Sequence, residues 1–377
     1  AGGVRVYATS DLHADRPDNA DFLRELVRYR QETRADNSDV LVVAGDVADD
    51  PEVLIDCLAS LREAYGGGVV FVPGNHDLWQ TGSRREGGRF EDSLDKLGYL
   101  LRECEARGVH TRTLRVPLCG GSRSLWVVPL LAWHHQSWDR EPPITGLQLP
   151  PFESCMSDYR CCTWPEGIPG CDDPKSDACA RLLDAFEGRN DEAVALLARE
   201  RRAGDVVISC SHFLPHQCLM PTKRMLFMPE LPKACGSDLL RPRIDALGGV
   251  GAHVFGHTHF AWDMDVDSVR FLSCPLAYPT ERRNNMNGGG EWVPLRVWEV
   301  EPTALDGPGG AAGDGELGES VACGDGAVGA FCPRQPAFWS SFYRLNGRDP
   351  TNMTLAPWVE KRLGRRMVGS AAVSARS

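Results

Sequence analysis

The 377-residue chain lacks features that would assign it to several broad classes of protein. It contains no apolar run of the roughly 20 residues that a helix needs to cross a bilayer. It also lacks an excess of positive charge, because its formal net charge is −11, and this disfavours non-specific attraction to a nucleic-acid backbone. We therefore expect a globular protein that does not span a membrane and for which nucleic acid is a disfavoured partner.

A disulfide framework is also not expected, because the 14 cysteines are scattered through a long chain. The cluster of Cys155, Cys161, Cys162, Cys171 and Cys179 has irregular spacing and no Cys-x-x-Cys pair. Free thiols are therefore favoured there over a structural zinc site.

Little room is left for a targeting signal, because Ala1-Gly2-Gly3 leads almost at once into a predicted strand. We expect a soluble, intracellular and cytoplasmic protein. An organelle is the alternative if a presequence has been removed.

Composition divides the chain into three segments. Residues 1–302 have the mixed composition of a globular domain, and the motifs described below place the expected catalytic function in this domain. Residues 303–333 contain nine Gly and five acidic residues without Lys or Arg, which is typical of a flexible linker. Residues 334–377 carry eight Lys and Arg against two Asp and Glu, together with several aromatic side chains. This basic tail is expected to dock on the body, and the alternative is that it binds a separate protein partner.

Strand-forming runs alternate with helical stripes in the first half of the chain, which indicates a layered α/β fold with helices packed on a sheet. Predicted strands cover Val4–Ser10, Val40–Ala44, Val69–Pro73, Leu125–Leu131, Val206–Cys210 and His253–Phe255. Apolar stripes follow residues 22–27, 53–61 and 90–101. Later, Asp267-Ser268 reads as a hairpin tip and 287–290 as a turn.

Five short motifs follow these strands, where an α/β fold places its working loops. They are Asp11-Leu12-His13, Gly45-Asp46-Val47-Ala48-Asp49, Gly74-Asn75-His76-Asp77, Ser211-His212 and Gly256-His257-Thr258-His259. In an extended segment, residues two apart project to the same side, so Asp11 with His13 and His257 with His259 could each bind one ion. We expect the five motifs to converge on a two-metal site.

The ordered motifs resemble those of the calcineurin-like metallophosphoesterase superfamily over about residues 4–300. The resemblance implies a four-layer α/β/β/α sandwich with a dinuclear centre at the strand ends. It implies that Asp11, His13, Asp46 and His259 hold one metal, and that Asp46, Asn75, His212 and His257 hold the other, so that Asp46 bridges the pair. His76 resembles the family's histidine that contacts phosphate and protonates the leaving group.

The types of ligand indicate the metals and the reaction. Histidine, carboxylate and amide ligands suit two divalent ions, Mn or Fe first and Zn as a further candidate. Two such ions can share a hydroxide and clamp a phosphoryl group during in-line displacement. We therefore expect hydrolysis of a phosphate ester. The alternatives are a phosphodiesterase acting on a cyclic nucleotide or nucleic acid, and a non-catalytic binding subunit that retains the fold.

Departures from relatives narrow the subclass. Purple acid phosphatases have a metal-binding tyrosine where Asp49 stands, and phospho-Ser/Thr phosphatases have an arginine where Asp50 stands, so both subclasses are disfavoured. Asp49 and Asp77 are expected to orient the ligand loops or His76, with helix or turn capping as the alternative. Segments at 224–227, 275–279 and 355–359 resemble a little-characterised plant, algal and cyanobacterial branch of the superfamily.

Three further histidines follow predicted strands and could contact the substrate. His134 and His135 follow the fourth predicted strand, and His216 lies four residues after His212. For each of them, an exposed or capping role is the competing interpretation.

Overall fold

The computed structural model describes residues 3–33, 38–80, 88–118, 121–147, 149–173, 175–300, 321–322 and 328–363. Its strands are β1 (Val4–Thr9), β2 (Val40–Ala44), β3 (Gly68–Val72), β4 (Leu114–Leu118), β5 (Arg123–Pro129), β6 (Val206–Cys210), β7 (Val250–Val254), β8 (Trp262–Val266), β9 (Val269–Ser273), β10 (Leu295–Val300), β11 (Val321–Ala322) and β12 (Val328–Phe331). Its helices are α1 (Pro17–Thr33), α2 (Pro51–Ala64), α3 (Asn75–Leu78), α4 (Ser93–Ala106), α5 (Phe152–Cys155), α6 (Asp158–Cys161), α7 (Ala178–Ala185), α8 (Arg189–Glu200), α9 (Leu240–Leu247), α10 (Pro279–Arg283), α11 (Phe338–Asn346) and α12 (357–363).

The strands form two six-stranded mixed sheets. The order in the first sheet is β11-β12-β10-β1-β2-β3, and the order in the second is β4-β5-β6-β7-β9-β8. The central strands β1, β2 and β3 are parallel, as are β5, β6, β7 and β9. Strands β2, β3 and β6 are buried along their whole length, which explains their continuous apolar sequences.

The apolar core is divided into layers by the two sheets. The outer face of the first sheet packs against apolar residues of α1 and α2 such as Leu23 and Leu58. The inner faces of both sheets meet through residues such as Val42 and Ile208. The outer face of the second sheet packs against α7, α8 and α9. This α/β/β/α order confirms the four-layer fold that the motifs implied.

Short polar segments fix the ends of several elements. Asp50 caps α2 by accepting a hydrogen bond from the Val53 N–H at 3.0 Å, and Pro51 starts that helix. Asp267 and Ser268 have φ of 48° and 67° and join β8 to β9, as the hairpin prediction required. The sixth predicted strand was placed too late, because β7 begins at Val250. No helix in the described part of the chain is long and apolar enough to cross a membrane.

The described part of the tail docks on the second sheet and its loops. The Tyr343 hydroxyl on α11 accepts a hydrogen bond from the Thr222 N–H at 2.8 Å. Residues of α12 bury apolar side chains against Met225. Within the predicted linker, β12 pairs with β10, whereas 303–320 and 323–327 lie outside the described residues, as does 364–377 at the end of the predicted tail. The three-segment division therefore stays a prediction.

Docking of the tail depends on Val359, which is 0% exposed in a cluster with Met225, Ala356 and Leu363. Val359→Ala should lower the free energy of opening of α12 by about 2 kcal/mol, because it removes buried methyl groups and leaves a cavity. Native-state hydrogen exchange of the α12 amides measures this energy. The matched control is Val293→Ala at a valine that is 62% exposed. Equal protection in the two variants would contradict the docking.

Candidate metal centre

The five motifs meet at one edge, where the carboxyl ends of parallel strands from both sheets come together. Asp11 and His13 follow β1, Asp46 follows β2, and Asn75 begins α3 directly after β3. The remaining predicted ligands, His212, His257 and His259, follow β6 and β7 of the second sheet. Three groups of His and Asp donor atoms, each within 4.8 Å of one another, lie at this junction: Asp11 with His13 and His259, His13 with Asp46 and His76, and Asp46 with His212 and His257.

The backbone that carries these ligands is not extended. Asp11, His13, Asp46, His257 and His259 have φ of 52°, 43°, 55°, 74° and 56°. The prediction that an extended segment aligns residues two apart is therefore wrong. Asp11 and His13 still meet in one group of ligand atoms, whereas His257 and His259 lie in different groups. Positive φ is uncommon outside glycine but is enriched for Asp and His, and such strain concentrates at functional sites.

In the first half of the centre, ring nitrogens and a carboxylate oxygen of three predicted ligands face each other. The Nε2 atoms of His13 and His259 are 3.0 Å apart, and His259 Nε2 lies 3.6 Å from Asp11 Oδ1. The other nitrogen of His259, Nδ1, lies 2.7 Å from the Glu281 carboxylate, to which it donates. Its Nε2 lone pair is thereby turned towards His13 and Asp11.

The second half has the same arrangement around Asn75. Asn75 Oδ1 lies 3.0 Å from both His212 Nε2 and His257 Nδ1, and His212 Nε2 lies 3.4 Å from Asp46 Oδ2. The opposite ring nitrogens donate to backbone carbonyls: His212 Nδ1 to Ala44 O at 2.9 Å and His257 Nε2 to Ala234 O at 2.7 Å. A neutral ring at either position therefore presents a lone pair to the centre.

The observed spacings suit metal coordination. Ligand atoms about 2.1 Å from one ion lie about 3.0 Å apart at right angles and about 3.4 Å apart in a tetrahedron. The donor pairs here are 3.0 to 3.6 Å apart. Two acceptor lone pairs that face each other would repel in a buried site, so the residues fit cations.

Electrostatics favour the same interpretation. Burial lowers the pKa of His257 to about 3, and it also lowers that of His13 well below the usual value, so both rings are neutral near pH 7. Burial opposes the charge of Asp46, but His212 and His76 outweigh it and hold the Asp46 pKa well below its usual range. Burial also lowers the pKa of His212 and of His259, but carboxylates outweigh it: Asp46 and Asp11 raise the His212 pKa to about 9, and Glu281 and Asp11 raise that of His259. His13 and His257 are thus ready ligands, whereas His212 and His259 would release a proton when a metal binds.

Asp158, which lies outside the five motifs and was not predicted as a site residue, fixes the orientation of Asn75. Asp158 Oδ1 accepts from Asn75 Nδ2 at 2.9 Å and from Trp79 Nε1 at 2.7 Å, and Oδ2 lies 3.1 Å from His134 Nε2. Because the Asn75 amide nitrogen is held by Asp158, its oxygen must face His212 and His257. Burial raises the Asp158 pKa, but the His134 contact and neighbouring groups outweigh it and bring the pKa to about 2.

Asp77 holds the loops that carry Asp46 and Asn75. Its two carboxylate oxygens accept four backbone N–H bonds, from Asp46, Val47, Ala48 and Gly74, at 2.8 to 3.1 Å. Asp49 acts elsewhere, because its Oδ1 lies 2.7 Å from His76 Nδ1. The two acidic residues therefore contact the two targets that the sequence suggested, the ligand loops and His76 respectively.

Two motif glycines are required by close approach. A Cβ on Gly74 would lie 2.2 Å from Asp46 Oδ1, and a Cβ on Gly45, where φ is 80°, would lie 2.4 Å from His212 Nδ1. Any larger residue would push a predicted ligand out of place.

The three additional histidines have different surroundings. His134 is buried and is joined to Asn75 through Asp158. His135 pairs with Ser137 Oγ at 2.9 Å and accepts from the Asp238 N–H at 3.1 Å. His216 caps a short helix by accepting from the Cys218 N–H at 3.1 Å. A substrate contact by any of the three stays a prediction.

Comparisons with known proteins agree with this geometry. The family model described as calcineurin-like phosphoesterase matches residues 4–261. The curated "[Acyl-carrier-protein] phosphodiesterase PptH" of Mycobacterium tuberculosis is 25% identical over 290 residues, which is 74% of this chain and 79% of that protein. The crystal structure of Phosphopantetheinyl Hydrolase (PptH) from the same organism has a TM-score of 0.53 at 23% identity, covers 82% of this chain and 99% of that one, and supports the fold. The narrower resemblance to a plant, algal and cyanobacterial branch stays a prediction.

Asp158 provides a test of how the centre is held. Asp158→Leu should weaken Mn²⁺ binding about 10- to 100-fold, because the Asn75 amide loses the partner that orients it. Asp158→Asn should retain most of the affinity, since its amide oxygen can still accept from Asn75 and His134 can adopt its other tautomer. Titration calorimetry on metal-free protein measures both variants, with thermal unfolding as the check on the fold. Equal Mn²⁺ affinity in Asp158→Leu and the wild type would contradict this role.

Proposed function

We propose that this chain, which belongs to the calcineurin-like phosphoesterase family and is a phosphoric ester hydrolase, hydrolyses its ester at a dinuclear metal centre. The observation that carries the proposal is the convergence of ligand atoms from seven side chains, whose neighbouring pairs lie 3.0 to 3.6 Å apart at the junction of the two sheets. Seven side chains would hold the ions: Asp11, His13, Asp46, Asn75, His212, His257 and His259.

The donor atoms divide into two sets that share Asp46. One ion would be held by Asp11, His13, Asp46 and His259, and the other by Asp46, Asn75, His212 and His257. The grouping of Asp46 with His13 on one side and with His212 and His257 on the other supports a bridging position. Mn or Fe suits this ligand set best, and Zn is a further candidate. Bound there, two divalent ions would supply an activated hydroxide and neutralise charge on the phosphoryl group.

His76 is suited to assist the departing group. Burial lowers its pKa, but Asp46 and Asp49 outweigh burial and raise the pKa to about 9, so the ring is protonated near pH 7. With Nδ1 paired to Asp49, Nε2 is the atom left to face the ester. As the P–O bond breaks, the Nε2 proton would pass to the leaving oxygen while water supplies the new oxygen on phosphorus.

A cavity beside the residues that support Asn75 has an acidic lining, which disfavours a polyanion there. Asp158 and His134, which support Asn75, also line this cavity of about 840 Å³. Its described lining contains Glu91, Glu166, Asp172 and Asp173 but no Lys or Arg. This charge disfavours nucleic acid, which agrees with the net charge of the chain.

A second candidate narrows the ester to a phosphodiester. The matched curated protein is named an acyl-carrier-protein phosphodiesterase, and the alignment covers most of both chains. We propose the diester between phosphopantetheine and an acyl carrier protein as the specific substrate to test. Hydrolysis would add one water and release phosphopantetheine and the unmodified carrier. A non-catalytic binding role is disfavoured, because the whole predicted ligand set is present.

Metal-dependent hydrolysis gives the direct test. Metal-free protein reloaded with Mn²⁺, Fe²⁺ or Zn²⁺ should cleave an activated phosphomonoester or phosphodiester, and Asp46→Asn should lower kcat/KM by about 1,000-fold, because it removes the shared charge. The control is Asp21→Asn at an exposed aspartate of α1. Absence of cleavage with every metal, and no effect of Asp46→Asn, would contradict the proposal.

The same assay separates the substrates. Initial rates on matched mono- and diesters, on a cyclic nucleotide and on phosphopantetheinylated acyl carrier protein should rank the carrier-protein diester first. Mass spectrometry of the carrier should show loss of the phosphopantetheine group. A faster rate on the monoester or the cyclic nucleotide would exclude the second candidate and leave the general one.

A further inference from the structure

Tyr278 lies at the metal centre although it belongs to none of the five motifs. Its ring stacks on His13 with 4.3 Å between centroids and meets the edge of His259 at 4.8 Å. Its hydroxyl oxygen lies 3.2 Å from His76 Nε2. One side chain therefore contacts two predicted ligands and the predicted proton donor.

The backbone holds Tyr278 rigidly relative to the ligands. The Leu276 and Ala277 N–H groups donate to Ser10 O and Asp11 O, both at 3.0 Å, and Ala277 has a φ of 64°. The Tyr278 N–H donates to Glu281 Oε2 at 2.9 Å, and the same oxygen accepts from His259 Nδ1 at 2.7 Å. Glu281 thus ties the position of Tyr278 to that of a predicted ligand.

The Tyr278 hydroxyl lies beside Nε2, the ring nitrogen of His76 that Asp49 does not contact. Asp49 takes Nδ1, so an ester oxygen that receives a proton from His76 must approach Nε2. A group within hydrogen-bond distance of Nε2 at that point lies beside the Tyr278 hydroxyl. When an ester oxygen receives the His76 Nε2–H, the Tyr278 O–H is free to donate to a neighbouring phosphoryl oxygen.

We propose that the Tyr278 hydroxyl is a substrate-contacting group that donates a hydrogen bond to a non-bridging oxygen of the phosphoryl group. This assignment rests on the proposed function, since it requires that a phosphate ester bind between the metal centre and His76. Donation to an anionic oxygen is a charge-assisted hydrogen bond, which is stronger than a neutral one. The Tyr278 ring would have a separate role, which is to hold the predicted metal ligand His13 in place by stacking on it.

Tyr278→Phe separates these two roles, because it keeps the ring and removes the hydroxyl. In the Mn²⁺-loaded protein, the dissociation constant of inorganic phosphate, measured by titration calorimetry, should rise about tenfold, because a hydrogen bond to a charged group is lost. The KM for an activated phosphoester should rise by a similar factor. Bound manganese per chain, measured by elemental analysis, should remain equal to that of the wild type.

The control is Tyr343→Phe, which removes a hydroxyl that pairs with Thr222 in the docked tail, away from the centre. It should leave phosphate affinity and KM unchanged. Unchanged phosphate affinity and KM in Tyr278→Phe, or loss of manganese from that variant, would overturn the assignment alone, because the hydroxyl would then make no substrate contact or would serve the ligands. Failure of the Mn²⁺-loaded wild type to bind phosphate or cleave any ester would overturn both the assignment and the proposed function.

Discussion

The close approach of predicted metal-ligand atoms in a buried space shapes the rest of this structure. At the junction of the two sheets, nitrogen and oxygen atoms of these side chains lie 3.0 Å apart. Neighbouring groups hold these atoms turned towards the junction. Three histidines, His212, His257 and His259, each donate from the opposite ring nitrogen to a fixed acceptor. Asp158 fixes the Asn75 amide in a similar way, because it accepts a hydrogen bond from Asn75 Nδ2.

This arrangement requires strained backbone conformations at the predicted ligands. Five predicted ligands adopt positive φ, and glycine is required where a side chain would strike His212 or Asp46. Asp77 compensates by accepting four backbone N–H groups from two loops, so the strained segments are tied to one buried carboxylate. The parallel strands below provide the rigid platform, since each ligand loop starts from a buried strand. The positions of the predicted ligands therefore depend on the strained loops and on the strands and the Asp77 carboxylate that hold those loops.

The sequence predicted the strands and site residues that depend on patterns of residues close together in the chain. Continuous apolar runs located β2 and β6 at their observed bounds, and the motifs located the residues that converge. Asp158 and Tyr278 could not be found in this way, because each meets its partner only through the tertiary fold, 83 residues from Asn75 and 202 residues from His76. Strand β4 was missed because its first four residues alternate only between half-buried and exposed and include Pro117. The positive φ values were also unpredicted, since Asp and His adopt them here under tertiary constraint.

The central claim is that two cations share Asp46 at the sheet junction. Anomalous X-ray diffraction from crystals of the Mn²⁺-loaded protein tests it most directly, because each ion gives its own peak. We expect two peaks roughly 3.5–4 Å apart, one beside Asp11 and His259, the other beside Asn75 and His257, with Asp46 between them. A single peak, or two peaks that do not share Asp46, would contradict it.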